Sequence, residues 1–477
     1  ASNMRPFIGR KQELQLLENA YTSKNAFVMV NGRRRVGKTA LVRHFLKGKR
    51  ALYFTAKEEV DVLSRRRFLK TFAEYCGETL SSSAKLPDWK EIFKAFAERV
   101  ETSRKVLVID NVAYLMLGDP SFARALKYAW ERYFKQASVM LIVVMPNNSL
   151  LVNLEGKSNT LIGCVTTQLK LKPISFVEMI KDYPHQDFNQ LMTLYAIAGG
   201  VPKYWEFFAA CEKTIDYMGV VREDMLDQNS LLYEEPMNLI ERDVWEPSYY
   251  NAVLKAVADN YHRPADIARY LEMKPGAVNH CLSNLAVLGY LEARVPITEK
   301  KAGPSNRKVQ YYFSDPFMDF WYTFIFENKE HLEAGQELQI FEAIKRAFPG
   351  YIQFWFKTAC KEIFAAACKQ GGIPFKIDRI GTFWNKNEET VDIVAVDEQR
   401  KRIFLGDCLY SNKPYTMEAY DDFVENCSDI REFKVFKDYD WTHGVFTANP
   451  FDPALMDYAM ITSDVYLFNG ITVYSRK

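Results

Sequence analysis

AFVMVNGRRRVGKTALVRHF, residues 26–45, is the stretch whose reading decides the fold of this 477-residue chain. Residues 26–30 form an uninterrupted apolar run that reads as a buried strand, and Leu41, Val42 and Phe45 follow at helical spacing. Between them stand Gly32, four spacer residues, then Gly37, Lys38 and Thr39. A strand, a glycine loop and a helix in that order bring several backbone N–H groups and a helix N-terminus onto one anion. Gly32 and Gly37 let the backbone turn tightly beside phosphate oxygens, Lys38 reaches the outer phosphates as a point charge, and the Thr39 hydroxyl suits Mg²⁺. Arg33, Arg34 and Arg35 alone would be a solvated charge run; every motif position filled between a strand and a helix points to a phosphate loop.

Working outward, alternating strands and helices are expected through about residue 170, with short strands at 51–55, 105–110, 139–144 and 168–171. The run KVLVID ends in Asp110, which puts a carboxylate at the C-terminal edge of a parallel sheet, where open α/β folds bind ligands. Asp110 can then share Mg²⁺ with Thr39. Hydrolysis of a terminal phosphate needs a group that orients or deprotonates water, and the residue after the Mg²⁺-binding acid is here Asn111, whose amide takes no proton. Slow turnover is the expectation, whereas binding needs no base. Asn147 or Asn148 is either a polar sensor of the outer phosphate or a turn beside Pro146.

Length allows about three domains. A content of 48% hydrophobic and 26% charged residues is that of a globular protein, and a net charge of +2 means that any nucleic-acid footprint must be local. Eight cysteines without a Cys-x-x-Cys pair read as reduced thiols rather than a disulfide framework or zinc site. No apolar run approaches the ~18 residues of a membrane span and no signal-peptide pattern opens the sequence, so a cytoplasmic location without membrane contact is expected.

Residues 248–315 read as three helices and a hairpin, the pattern of a winged helix. The third helix carries Asn279 and His280 on its exposed side, with Lys274 just before it. Lys300, Lys301, Arg307 and Lys308 fall between the two strands, which makes the wing basic and, around Gly303 and Pro304, mobile. Such a unit contacts DNA through the helix and the wing, or serves as a protein-binding module. SDPFMDFWYTFIF, residues 314–326, has the ring density of an interdomain core.

The FIGR box (Phe7, Gly9 and Arg10 within it), the phosphate loop, the Asp-ended strand, KPISF and AGGVPKY together resemble the archaeal-type ATPase family of the AAA+/STAND P-loop class. The resemblance covers nearly the whole chain. It implies an α/β P-loop sheet at residues 4–172, a helical lid at 173–247, a winged helix at 248–315, an aromatic helical linker at 316–350 and a restriction-endonuclease-like α/β domain at 351–477. It also implies ATP and Mg²⁺ as cofactors, with Phe7, Gly9, Arg10 and Pro202 joining the loop residues around the nucleotide. In STAND proteins a Gly-x-Pro of the lid contacts adenine, and Gly200, Val201 and Pro202 match it; the same residues also read as a helix stop and start.

Three positions depart from that family: Asn111 replaces Glu, Ile162-Gly163-Cys164 stands where Tyr-Gly-Arg is expected, and Lys11 follows the FIGR box in place of Glu. Cys164 cannot stabilise a transferring phosphate as an arginine would. In the end domain, Asp392 and Asp407 suit a PD-(D/E)xK pair, but Leu409 holds the lysine position and Phe356-Lys357 the place of the helical Glu. Glu362 and Lys413 could substitute only by migration, which favours an inactive scaffold. Three readings follow: a nucleotide-dependent switch with weak or no hydrolysis, an active ATPase coupled to a metal-dependent DNA nuclease, and a nucleotide-stabilised signalling adaptor. The partner, DNA or protein, and the oligomeric state are left open.

Overall fold

The computed structural model describes residues 9–79, 85–147, 161–183, 186–209, 217–299 and 307–477. They form two units. The first comprises residues up to Pro173 with two short segments, 201–203 and 284–290; the second comprises the rest.

The first unit is built on a five-stranded sheet in the order β2-β3-β4-β1-β5, from β1 (Ala26–Gly32), β2 (Leu52–Thr55), β3 (Val106–Asp110), β4 (Met140–Pro146) and β5 (Thr167–Leu171). All neighbouring pairs are parallel. Side chains alternate between faces. Phe27, Met29, Leu107, Ile109, Leu141 and Val143 join a core with Phe68, Trp89, Phe93 and Phe122. Val28, Val30, Val106, Val108, Ile142 and Val144 join another with Leu17, Leu41 and Phe45. Burial on both faces explains why these strands are continuous apolar runs rather than alternating ones. The helix Trp89–Glu98 is fixed at its start by a capping box in which Asp88 and Glu91 satisfy each other's backbone amides.

In the second unit the helix Pro316–Phe324 is a packing hub. Phe317, Phe320, Trp321 and Tyr322 are fully buried, so none is available as a base-stacking platform. The Trp321 indole donates to the Tyr233 carbonyl (2.9 Å), the Tyr322 hydroxyl to Asn251 (2.6 Å), and the Trp355 indole to Asp319 (2.8 Å).

Three helices, Pro247–Ala258, Pro264–Leu271 and Pro275–Leu288, precede the antiparallel pair β6 (Leu291–Arg294) and β7 (Gln310–Phe313). The segment after β6 is anchored rather than loose: the Ile297 amide donates to the Thr382 carbonyl (3.1 Å) and Arg379 donates to the Ile297 carbonyl (3.1 Å). The mobility expected around Gly303 and Pro304 falls on residues outside the described ones.

The second sheet runs β13-β12-β11-β10-β9-β8 and mixes antiparallel with parallel pairs. Its strands are β8 (Arg379–Trp384), β9 (Thr390–Asp397), β10 (Arg402–Cys408), β11 (Asp440–Thr447), β12 (Val465–Asn469) and β13 (Thr472–Tyr474). The helix Glu337–Lys369 spans 33 residues with Pro349 inside it, so the boundary expected at residue 350 falls within one continuous element. Pro-Gly reads as a breaker, but a single proline removes one helical hydrogen bond while the turns around it hold.

Two half-buried acids should make this unit sensitive to pH. The Glu362 carboxylate accepts the amides of Phe176 (2.9 Å) and Val177 (3.4 Å) at the start of the helix Phe176–Asp182. Burial nevertheless pushes it up to about 7, and burial likewise pushes Asp319 up to about 7. Both folded values lie above the unfolded values of about 4, so between the two the folded state holds more protons. Their contribution is complete below about pH 4 and is lost as pH rises through about 7. Denaturant midpoints should therefore fall from about pH 5 to about pH 8, and Glu362→Gln combined with Asp319→Asn should flatten that slope. An unchanged slope in the double variant would assign the dependence to other groups.

Candidate functional site

Loop and carboxylate meet at the C-terminal edge of the first sheet. Gly32 closes β1 against β5, where an added Cβ would fall 2.7 Å from the Leu171 carbonyl oxygen; no larger residue fits without moving backbone. Arg35 (φ 70°) and Gly37 (φ 104°) take left-handed conformations, and the helix Lys38–Phe45 starts without a side-chain cap. The Lys38 ammonium lies across the loop and donates to the carbonyls of Gly32 (2.6 Å) and Arg33 (2.9 Å). An incoming phosphate would compete for it.

The Thr39 hydroxyl donates to Asp110 Oδ2 (2.7 Å), although β4 separates their strands in the sheet. The Tyr53 hydroxyl donates to the same oxygen (2.5 Å). Asp110 is only 2% exposed, and its Oδ1 is buried without a hydrogen-bond partner. Buried polar atoms are ordinarily satisfied. A hydroxyl and an orphaned carboxylate oxygen are hard donors of the kind Mg²⁺ takes, so these residues fit that ion.

Tyr53 was not singled out from the sequence. It becomes visible only in the register of β2 on β3, where Thr55 faces Asp110 and Tyr53 sits two residues earlier. Burial first, then Asp110, pushes its phenol far above the usual range, which keeps it a donor. The Arg43 guanidinium covers the ring at 4.2 Å.

Around this centre, Gly9 (φ 68°) and Arg10 (φ 66°) turn the chain, and Arg10, 4% exposed, donates to the Val36 carbonyl inside the loop (3.0 Å). Phe7 lies outside the described residues. Asn111 has a left-handed backbone (φ 56°). Asn147 accepts from Asn31 (2.8 Å) and its own amide donates to the Gly32 carbonyl (3.2 Å), tying the end of β4 to the loop; Asn148 lies outside the described residues. Cys164 occupies the turn Ile162–Cys164 with its sulfur 4.0 Å from Glu131, so that turn holds no cation.

At AGG, packing accounts for the glycine: a Cβ on Gly200 would fall 1.9 Å from the Ile174 carbonyl oxygen, and the Ile174 amide donates to the Gly200 carbonyl (2.8 Å). Pro202 opens the helix Pro202–Ala209 at a position that needs no N–H.

In the second unit Lys274, Asn279 and Arg307 are exposed. Lys308 is exposed too, but it pairs with Glu299, which reduces the charge the hairpin can offer. Lys300 and Lys301 lie outside the described residues.

Neighbouring strands β9 and β10 bring Asp392 and Asp407 together. Asp392 accepts the Cys408 amide (3.0 Å), and Asp407 accepts the Tyr415 hydroxyl (2.7 Å). Burial first, with Asp392 adding to it, pushes Asp407 up to about 6. Lys357 of the long helix reaches Asp392 at 2.9 Å. Leu409 in the expected lysine position is 40% exposed. The two migrated substitutes do not serve this pair: Glu362 caps a helix instead, and Lys413 is exposed. Among the described residues no three His, Cys, Asp or Glu side chains converge as a metal site, and no helix is long and apolar enough to cross a membrane.

Residues 7–207 match the family described as an ATPase domain predominantly from Archaea, and residues 321–420 match one described as archaeal and bacterial proteins of unknown function. An uncharacterized protein of Methanocaldococcus jannaschii is 26% identical over 402 residues, covering 84% of this chain and 86% of its own. Among solved structures, the Walker-type ATPase of Pyrococcus abyssi aligns with TM-score 0.50 and 16% identity over 67% of this chain and 99% of its own. The ORC2 protein of Aeropyrum pernix, in ADPNP-ADP complexes, aligns with TM-score 0.44 and 14% identity over 70% of this chain and 98% of its own. Residues 7–207 are thus similar to an ATPase domain predominantly from Archaea, and the chain shares its α/β fold with the Pyrococcus abyssi structure.

Proposed function

We propose that the chain binds ATP with Mg²⁺ and acts as a nucleotide-dependent switch of the AAA+/STAND type, with weak or no hydrolysis. The observation that carries this reading is the Thr39–Asp110 contact with a partnerless Asp110 oxygen. In it, the amides around Gly32 and Gly37 cradle the phosphates, Lys38 leaves the loop carbonyls for the outer phosphates, and Gly9, Arg10 and Pro202 belong to the nucleoside side. Arg10 acts through the loop, by holding the Val36 carbonyl. Thr39 and Asp110 hold Mg²⁺, which supplies positive charge to phosphate oxygens. Asn111 cannot accept a proton from water, and Cys164 offers no cation to a phosphate in transfer, so the chemistry of turnover lacks two aids while binding keeps all of its own. Binding energy drives a switch only to the extent that it differs between the two arrangements.

We further propose that residues 248–315 act as a winged helix touching DNA through Lys274, Asn279 and Arg307. A second reading of the end domain, a metal-dependent nuclease, is favoured by one observation: the Asp392–Asp407 pair has an ammonium, Lys357, at 2.9 Å. That lysine comes from the helix rather than from the strand position held by Leu409, where the sequence motif would look for it.

Three outcomes test these readings. Calorimetry should detect ATP binding that requires Mg²⁺ and is lost in Lys38→Ala, with phosphate release remaining slow; rapid turnover that depends on Lys38 would overturn the switch. Duplex DNA affinity should fall with salt, and Lys274→Ala should shallow the log–log slope by about one unit. Plasmid nicking in Mg²⁺ or Mn²⁺ should be absent; nicking abolished by Asp392→Ala would establish the nuclease in its place.

A further inference from the structure

Within the second unit, the hairpin, the long helix and the edge strand β8 enclose a cavity of about 320 Å³. Its lining is unusual in charge. Arg263, Arg294, Lys357 and Lys361 face it, against Asp392 and Glu388. Lys357 is matched by Asp392 (2.9 Å), and Asp392 is further satisfied by the Cys408 amide (3.0 Å). Arg294 is paired with Glu292 and packed over the rings of Tyr312 (4.9 Å) and Phe354 (5.3 Å), so its position is fixed. Glu388 is exposed, where solvent screens it.

Arg263 and Lys361 make no ion pair among the described residues. Lys361 is the more telling of the two. Burial first, then Arg294, pushes its ammonium down to about 8. Glu292 and Glu362 offset this only in part and neither is in ion-pair contact with Lys361, so a half-buried ammonium beside another cation favours an entering anion. Trp384 forms one wall and has no ring contact of its own among the described residues. A planar group has a face to lie on.

We propose that this chamber binds a small phosphate-bearing ligand of the nucleoside monophosphate class, its anion between Arg263, Arg294 and Lys361 and its base against Trp384. Guanidinium groups match phosphate oxygens in geometry as well as charge. The volume lies at the lower end of the range for small-molecule pockets, which suits one nucleotide rather than two. A free nucleotide and the terminal nucleotide of a strand present the same chemistry. The site is separate from the phosphate loop and does not depend on it.

The test uses the full chain carrying Lys38→Ala, which removes the phosphate loop as a competing site. AMP and a short 5′-phosphorylated single-stranded oligonucleotide are titrated into it by calorimetry. Binding of either should weaken at least ten-fold in Arg263→Gln and in Lys361→Gln, and to a smaller extent in Trp384→Ala. Arg263 is exposed and its loss opens no core, so circular dichroism should stay unchanged in that variant. A response to AMP identifies a free nucleotide as the ligand; a response to the oligonucleotide alone identifies a strand end. No heat with either probe, or affinities indifferent to Arg263→Gln in a folded protein, would overturn the assignment.

Discussion

The candidate nucleotide site rests on a contact of 2.7 Å between a helix hydroxyl and a strand carboxylate, Thr39 to Asp110. Neither residue can move alone. Thr39 sits in the first turn of a helix whose entry is set by the left-handed Gly37, and Asp110 ends a strand buried along its whole length. Interposing β4 between their strands spreads the sheet edge, and Asn147 at the end of β4 then bonds to both the Asn31 side chain and the Gly32 carbonyl. Bonding among three neighbouring strand ends leaves one carboxylate oxygen buried and unpartnered. Such preorganisation lowers the cost of ordering a ligand.

Much of the first unit was readable because its strands are covered on both sides and therefore spelled as apolar runs. Residues 26–30, 105–110, 139–144 and 168–171 all fall on observed strands. The apolar runs 391–396, 402–405, 444–446 and 464–468 of the end domain also read as strands, and they overlap β9, β10, β11 and β12. β8 was missed: it lies at a sheet edge, only Phe383 in it is fully buried, and a register shift between Gly381 and Phe383 breaks its alternation. β13 is three residues long and offers no period to detect. The boundary expected at residue 350 falls inside the helix Glu337–Lys369, whose turns continue past Pro349 and Gly350.

Site residues divide along similar lines. Gly32, Gly37, Lys38, Thr39 and Asp110 lie where local motif chemistry puts them, because their relation is set by one strand–loop–helix unit and one sheet edge. Tyr53 and Lys357 depend on register and on helix docking, which no short window of sequence encodes. Glu362, which could join the Asp392–Asp407 pair only by migration, is committed to backbone amides in another part of the fold.

The helix Glu337–Lys369 is a rod of roughly 50 Å at 1.5 Å per residue. Along its second half it carries the indole that meets Asp319, the ammonium that meets Asp392, the cation at the chamber wall and the carboxylate at the start of the helix Phe176–Asp182. These four are spaced within about two turns of one helix. One helix thus ties Asp319, the Asp392–Asp407 pair, the chamber wall and the start of the helix Phe176–Asp182 into a single framework.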